Sequence, residues 1–175
     1  MATRIPDRLI WAVEQLSVNS VYEILEIGCG TGVAASLICS RLADGHLTAI
    51  DRSESMIDTA RRRNQAHVAS GRAVFLATGL AEMDVGHKRF NKALAVNVNV
   101  FWQQPDDELV ILKKVLHPGG EVFLVFQPPV ASRAEHSAEA CSQFLLRHGF
   151  SDITVDFKVL QPVTAVCIRA KLMRV

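Results

Sequence analysis

Short β-branched runs alternating with longer helical patterns predict an α/β domain built on a doubly wound, mostly parallel sheet. Two further observations support that class. An apolar run enters a glycine-rich loop at Gly28, and the last two extended runs flank Gln161-Pro162 as an antiparallel hairpin. The 175 residues, 49% apolar and 21% charged, suit one globular domain over 1–175, with an N-terminal helix inside 1–20 and a core over 21–171.

The elements follow in order. Leu9, Ile10, Val13 and Leu16 share one face of a helix over 7–17 that starts after Pro6. Val21–Ile27 reads as the first strand, 32–42 as a helix, and Leu47–Ile50 as the second strand, ending at Asp51. Ser53 is placed to cap a helix running to about Gln65, with Met56, Ile57 and Ala60 toward the sheet and Arg61, Arg62 and Arg63 outward. Strands three and four are Ala73–Ala77 and Lys92–Val96. A helix from Pro105-Asp106 closes before His117-Pro118-Gly119-Gly120, and Glu121–Phe126 is the fifth strand. A helix over 133–148 ends at Gly149, and the runs 153–160 and 163–171 complete seven strands.

Composition narrows the function. Nineteen Lys and Arg against eighteen Asp and Glu give a net charge of +1, which supplies no global field for nucleic acid or an anionic membrane. No apolar run approaches the roughly 20 residues of a membrane span, and the N-terminus lacks a signal core. Cys29, Cys39, Cys141 and Cys167 have no metal-ligand spacing and need no disulfide, so a metal-free, cytoplasmic chain is expected. The six histidines form no metal or nucleophile-base spacing and are read as solvent-exposed or turn residues. Arg61-Arg62-Arg63 and His87-Lys88-Arg89 are read as solvated surface.

The most informative stretch is Glu26-Ile27-Gly28-Cys29-Gly30-Thr31-Gly32, where a strand runs into glycines at alternate positions and then a helix. A loop short of Cβ atoms lets a ligand approach the backbone, and a helix start offers N–H groups. Asp51, 23 positions beyond Gly28, closes the next strand with a carboxylate suited to ribose hydroxyls. An adenosine-containing ligand over the switch point between strands one and four is therefore expected. A dinucleotide fingerprint wants a small residue where Val33 stands and has no acid at Glu26, whose charge would repel a pyrophosphate. A cationic adenosine ligand suits both departures, and argues against a nicotinamide-dependent oxidoreductase.

These residues resemble the first motif of the class I S-adenosylmethionine-dependent methyltransferases. Asp51 with Ser53 and Met56 resembles the family's second motif, 90–100 its fourth, and Leu116-His117-Pro118-Gly119-Gly120 its turn before strand five. The resemblance covers most of 21–171, making that span the donor-binding core. It implies a Rossmann-like fold with an antiparallel seventh strand inserted in the sheet, and S-adenosylmethionine as cofactor. It also implies a donor site of Glu26, Gly28, Cys29, Gly30 and Gly32 around the methionine end, Asp51 on the ribose, and Arg52 and Met56 flanking adenine. Leu80 stands where the family commonly has an acid for the adenine amino group, so backbone groups at Gly79 and Leu80 are expected to serve instead. Asn91 stands where Asp is usual.

Methyl transfer from a sulfonium chiefly needs orientation, and a base only where the acceptor must lose a proton. The acceptor is expected just past strand four, with Asn97 near the donor and Asn99, Phe101, Trp102 and Gln127 around the substrate. Phe101 and Trp102 serve equally well as core cover, and Trp11, a candidate lid, reads more readily as core. The catalytic residue, the acceptor and the oligomeric state are not legible. A small-molecule acceptor is expected. The alternatives are a tRNA or rRNA methyltransferase, which the charge and the absence of an N-P-P-Y type motif at Asn97-Val98-Asn99-Val100 argue against, and a non-catalytic donor-binding protein.

Overall fold

A computed structural model describes residues 4–84, 86–130 and 132–173, so the ends of the expected 1–175 domain lie outside the described residues. Its seven strands form one sheet in the order β3-β2-β1-β4-β5-β7-β6. The elements are α1 (Asp7–Leu16), β1 (Glu23–Ile27), α2 (Val33–Cys39), β2 (His46–Asp51), α3 (Glu54–Arg63), α4 (Gln65–Ala69), β3 (Ala73–Ala77), β4 (Phe90–Val96), α5 (Asp106–Val115), β5 (Leu116–Phe126), α6 (Ser132–Arg147), β6 (Phe150–Lys158) and β7 (Ala165–Leu172). Strands β1 to β5 pair in parallel, while β7 runs antiparallel between β5 and β6. The strand order reverses between β1 and β4, which opens a crevice at their carboxyl ends.

Strand alternation sends neighbouring residues to opposite faces. Leu25, Leu124 and Phe126 pack in a cluster with residues of α5 and α6, whereas Ile24, Phe123 and Val125 pack with α1, α2 and α3. Both faces are thus covered, which explains the near-continuous apolar runs of the parallel strands. Lys92, 8% exposed, donates from Nζ to the carbonyl of Leu16 at 2.8 Å and pairs with Glu121 at 3.3 Å. It therefore caps the carboxyl end of α1 from the sheet, where Ser17 turns left-handed at φ 46°.

Several boundaries differ from the sequence reading. The helix expected from Ser53 to Gln65 breaks at Asn64, because that buried amide bonds the carbonyls of Gly32 (3.0 Å) and Ala60 (2.9 Å) and Ser36 Oγ (2.7 Å). Met56, expected toward the sheet, is 41% exposed, while Ile57 and Ala60 are buried. Strand β5 starts at Leu116 rather than Glu121, since Leu116 pairs with Phe90 across a bulge. Strand β6 begins at Phe150 rather than Ile153, again across a register shift. A 3₁₀ turn over Asn99–Trp102 lies in the expected loop after β4. Asn91 Oδ1 accepts the Glu23 N–H at 2.8 Å, so the Asn in place of the usual Asp ties β1 to β4 at the end away from the crevice.

Candidate active site

Each element at the crevice delivers one part of a wall. Ile27 and Gly28 come from the end of β1, Ile50 to Arg52 from β2, Thr78 to Leu80 from the loop after β3, Val98 to Val100, Gln103 and Gln104 from the loop after β4, and Glu108 from α5. Together they enclose about 790 Å³, within the range of small-ligand sites. The glycine loop is anchored to β2, with the N–H groups of Gly28 and Cys29 donating to the Ile50 carbonyl at 2.8 and 3.0 Å. The Asp51 carboxylate completes the tie, accepting from Gly30 N–H and Ser53 N–H, each at 2.9 Å. Gly28 has φ +70°, and a Cβ there would lie 2.7 Å from Val98 Cγ2. A side chain would be strained and would push into the cavity wall.

Glu26 lies beneath the loop at 4% exposure, and its Oε2 has no hydrogen-bond partner among the described residues. Burial, reinforced by the charge of Asp51, pushes its carboxyl up to about 8. An orphaned, buried carboxylate oxygen is costly unless something bonds it. Burial also pushes the Cys29 thiol up, with the carboxylates of Glu26 and Asp51 adding to the shift.

Of the expected donor residues, Gly28, Asp51, Arg52, Gly79 and Leu80 line the cavity. Glu26 and Cys29 are buried, and neither they nor Gly30, Met56 and Asn97 belong to its wall. Gly32 faces elsewhere: a Cβ there would collide with Asn64 Nδ2 at 2.7 Å and Ala60 Cβ at 2.8 Å, and its N–H donates to the Cys29 carbonyl at 2.9 Å. Of the N–H groups expected to be open at that helix start, the one of Gly32 is thus already used, and Gly32 serves the packing of α2 on α3. Glu108 was not legible from sequence. Its side chain, 8% exposed, lines the cavity 3.6 Å from Arg52 Nη2, and Glu82 stands 3.9 Å from the same nitrogen. An acid in the first turn of a helix reads as a dipole partner, and only the fold carries it to Arg52.

A second hollow of about 400 Å³ adjoins the first, sharing Asn99 and Gln103. Asn97, Trp102, Phe126, Gln127, Pro128, Pro129, Arg133 and Ser137 complete it. Asn97, with φ 56°, accepts the Gln127 N–H through Oδ1 at 2.8 Å, while Gln127 Nε2 donates to the carbonyls of Gln161 (3.2 Å) and Val163 (2.9 Å). Of the expected substrate residues, Asn99, Trp102 and Gln127 therefore meet here. Phe101 is 1% exposed and Trp11 4% exposed, each packed in a core cluster and in neither wall. The lid reading of Trp11 is corrected accordingly: its indole is buried under α1 with Lys158 over the ring, and it lines neither hollow.

A doubly wound sheet with a glycine loop, an acid ending β2 and a cavity at the switch point defines a nucleoside-binding α/β domain. Residues 24–120 match the family model described as a methyltransferase domain, so the chain belongs to this family, the class I S-adenosylmethionine-dependent methyltransferases. S-adenosylmethionine is its cofactor. An uncharacterized methyltransferase, YdaC, of Bacillus subtilis is 28% identical over 166 residues, covering 92% of this chain and 89% of that protein. A malonyl-[acyl-carrier protein] O-methyltransferase of Priestia megaterium is 33% identical over 114 residues, 63% of this chain, but this chain matches only 40% of its length. Among solved structures, the [4+2]-cyclase SpnF superposes with a TM-score of 0.77 at 15% identity, covering 95% of this chain and 81% of that one. A methyltransferase from Aquifex aeolicus gives 0.77 at 13% identity, covering 94% and 89%. Such likenesses establish the fold. Among the described residues no helix is long and apolar enough to cross a membrane, and no cluster of three metal-ligating side chains occurs.

Proposed function

We propose that the chain moves the methyl group of S-adenosylmethionine to a small-molecule acceptor by in-line displacement. The observation that carries this reading is the junction of the two hollows at Asn99 and Gln103. One hollow suits the donor, and the other adjoins it at these two residues, which stand at the two ends of the 3₁₀ turn after β4.

The residues fit the donor on two counts. Glu26 Oε2 lacks a partner beneath the glycine loop, where an ammonium would draw the carboxyl back to its charged form. Asp51 keeps lone pairs beyond the two that hold Gly30 and Ser53, which ribose hydroxyls would take. Arg52 and Leu80 would flank the adenine, and Glu108 would supply the acid missing at Leu80. When bound, the donor supplies an activated methyl group. The chain's part is to orient the acceptor and exclude water, and positioning alone is worth effective molarities of about 10⁵ to 10⁸ M.

Nucleic acid is the weaker acceptor class. Arg61 donates to the Phe75 carbonyl, Arg62 to Thr59 and Arg63 to the Thr31 carbonyl, so the arginine row is engaged within the chain. The cyclase among the structural neighbours has this fold under a different reaction name, so turnover needs its own test. Calorimetry with S-adenosylmethionine and S-adenosylhomocysteine is that test's first stage. One-to-one binding of both is expected, followed by methyl transfer to at least one small acceptor. No heat with either at millimolar concentration overturns the reading, and donor binding without turnover on a broad acceptor panel leaves a binding protein.

A further inference from the structure

Resting on the donor reading above, we propose that the acceptor is a carboxylate carried on an apolar body, and that the product is its methyl ester. The second hollow offers carboxamides at Asn97, Asn99, Gln103 and Gln127 and a hydroxyl at Ser137, but among the described residues no Asp, Glu, His, Cys, Tyr or Lys lines it. Among the described lining residues the one that carries a formal charge is Arg133, at the start of α6. The two acids among the described residues of the adjoining cavity are taken by the donor in that reading, Asp51 by its ribose and Glu108 by its adenine.

A wall without a proton acceptor cannot activate a hydroxyl or an ammonium, each of which must lose a proton to become a nucleophile. A carboxyl group, titrating at about 4, arrives already ionised. Its charge also suits Arg133, whose planar fork matches a carboxylate. Beside these polar groups the wall has an apolar side: Trp102 meets Phe126 edge-to-face with ring centroids 4.0 Å apart, and Pro128 and Pro129 adjoin them. About 400 Å³ admits an aryl or short-chain acid.

The step balances without a base. A lone pair of the carboxylate oxygen forms the new O–CH₃ bond as the S–CH₃ bond breaks. The electron pair of the broken bond stays on sulfur, turning the sulfonium into a neutral thioether, and the carboxylate's negative charge disappears with it. No proton is released.

The test is a binding experiment on the full chain. The protein is first titrated with S-adenosylhomocysteine, then, saturated with it, with benzoate, cinnamate and octanoate and with the corresponding amides, following heat and Trp fluorescence. At least one acid is expected to bind about tenfold more tightly than its amide, and Arg133→Gln is expected to abolish that preference. Amides that bind as well as acids, a preference retained in Arg133→Gln, or no binding of any acid at millimolar concentration overturns the proposal. Failure of S-adenosylhomocysteine itself to bind removes the donor reading instead, so the two failures are distinguishable. Where an acid binds, transfer of labelled methyl from S-adenosylmethionine should give an alkali-labile product with no net proton release. Binding of an acid with no transfer of methyl to it overturns the carboxylate assignment.

Discussion

The Asp51 carboxylate accepts the N–H of Gly30 at 2.9 Å, so the acid that ends β2 holds the glycine loop that ends β1. The same side chain is thus both the clasp of the loop and the proposed ribose acceptor. Asp51→Ala removes both roles. Hydrogen bonds to a charged group are worth about 1.5 to 3 kcal/mol, so donor binding is expected to weaken by about 10- to 100-fold. Calorimetry measures the affinity, and thermal unfolding should register a lower midpoint in the absence of ligand.

The glycines of the loop should separate by what their missing Cβ would meet. At Gly28 it meets Val98 Cγ2, on the cavity wall, and at Gly32 it meets Asn64 and Ala60, on α3 and its end; at Gly30 nothing lies within 4 Å. Gly28→Ala is expected to impair donor binding most, and Gly32→Ala to lower stability most. Gly30→Ala carries chiefly the backbone cost of φ +51°, about 1 to 2 kcal/mol. Paired measurements of unfolding in urea and of affinity check this order.

Glu26 gives the fold a pH dependence of definite sign. Its carboxyl titrates near 4.5 when unfolded and near 8 in the folded chain, so between those values the folded state holds a proton that the unfolded state has lost. Its contribution to stability is therefore greatest below about pH 4.5, declines as pH rises toward 8, and is level above. Glu26→Gln keeps the shape but cannot ionise. In urea titrations from pH 5 to 9 it is expected to flatten this decline and to be more stable than the parent at the alkaline end.

Glu108 is expected to matter to binding more than to folding. Glu108→Gln preserves its volume while removing the charge that faces Arg52 at 3.6 Å. Affinity for S-adenosylhomocysteine should fall by about tenfold, with little change in the urea midpoint. An unchanged affinity would leave Glu108 a partner of Arg52 alone.

How far the sequence carried depended on whether a signal was local. The strand–glycine–helix pattern and the acid at Asp51 are local, and they located the switch point and part of one cavity wall. Gly28 and Gly32 look alike in the chain, yet one faces a ligand cavity and the other Asn64, a distinction made by the fold. Glu108 reaches Arg52 only because α5 returns across β4, and the 3₁₀ turn over Asn99–Trp102 turns Phe101 into the core while leaving Trp102 in the second hollow. Trp11 followed the simpler expectation, since an aromatic on the apolar face of α1 packs inward.

The central claim is that the two hollows are donor and acceptor sites meeting at Asn99 and Gln103. A crystal structure of the protein with S-adenosylhomocysteine tests it most directly. The account expects the ribose hydroxyls at Asp51, the adenine between Arg52 and Leu80, and the sulfur near Gly28 with its free side open to the hollow walled by Trp102 and Arg133. A sulfur turned away from that hollow, or a ligand bound outside the cavity, would contradict it.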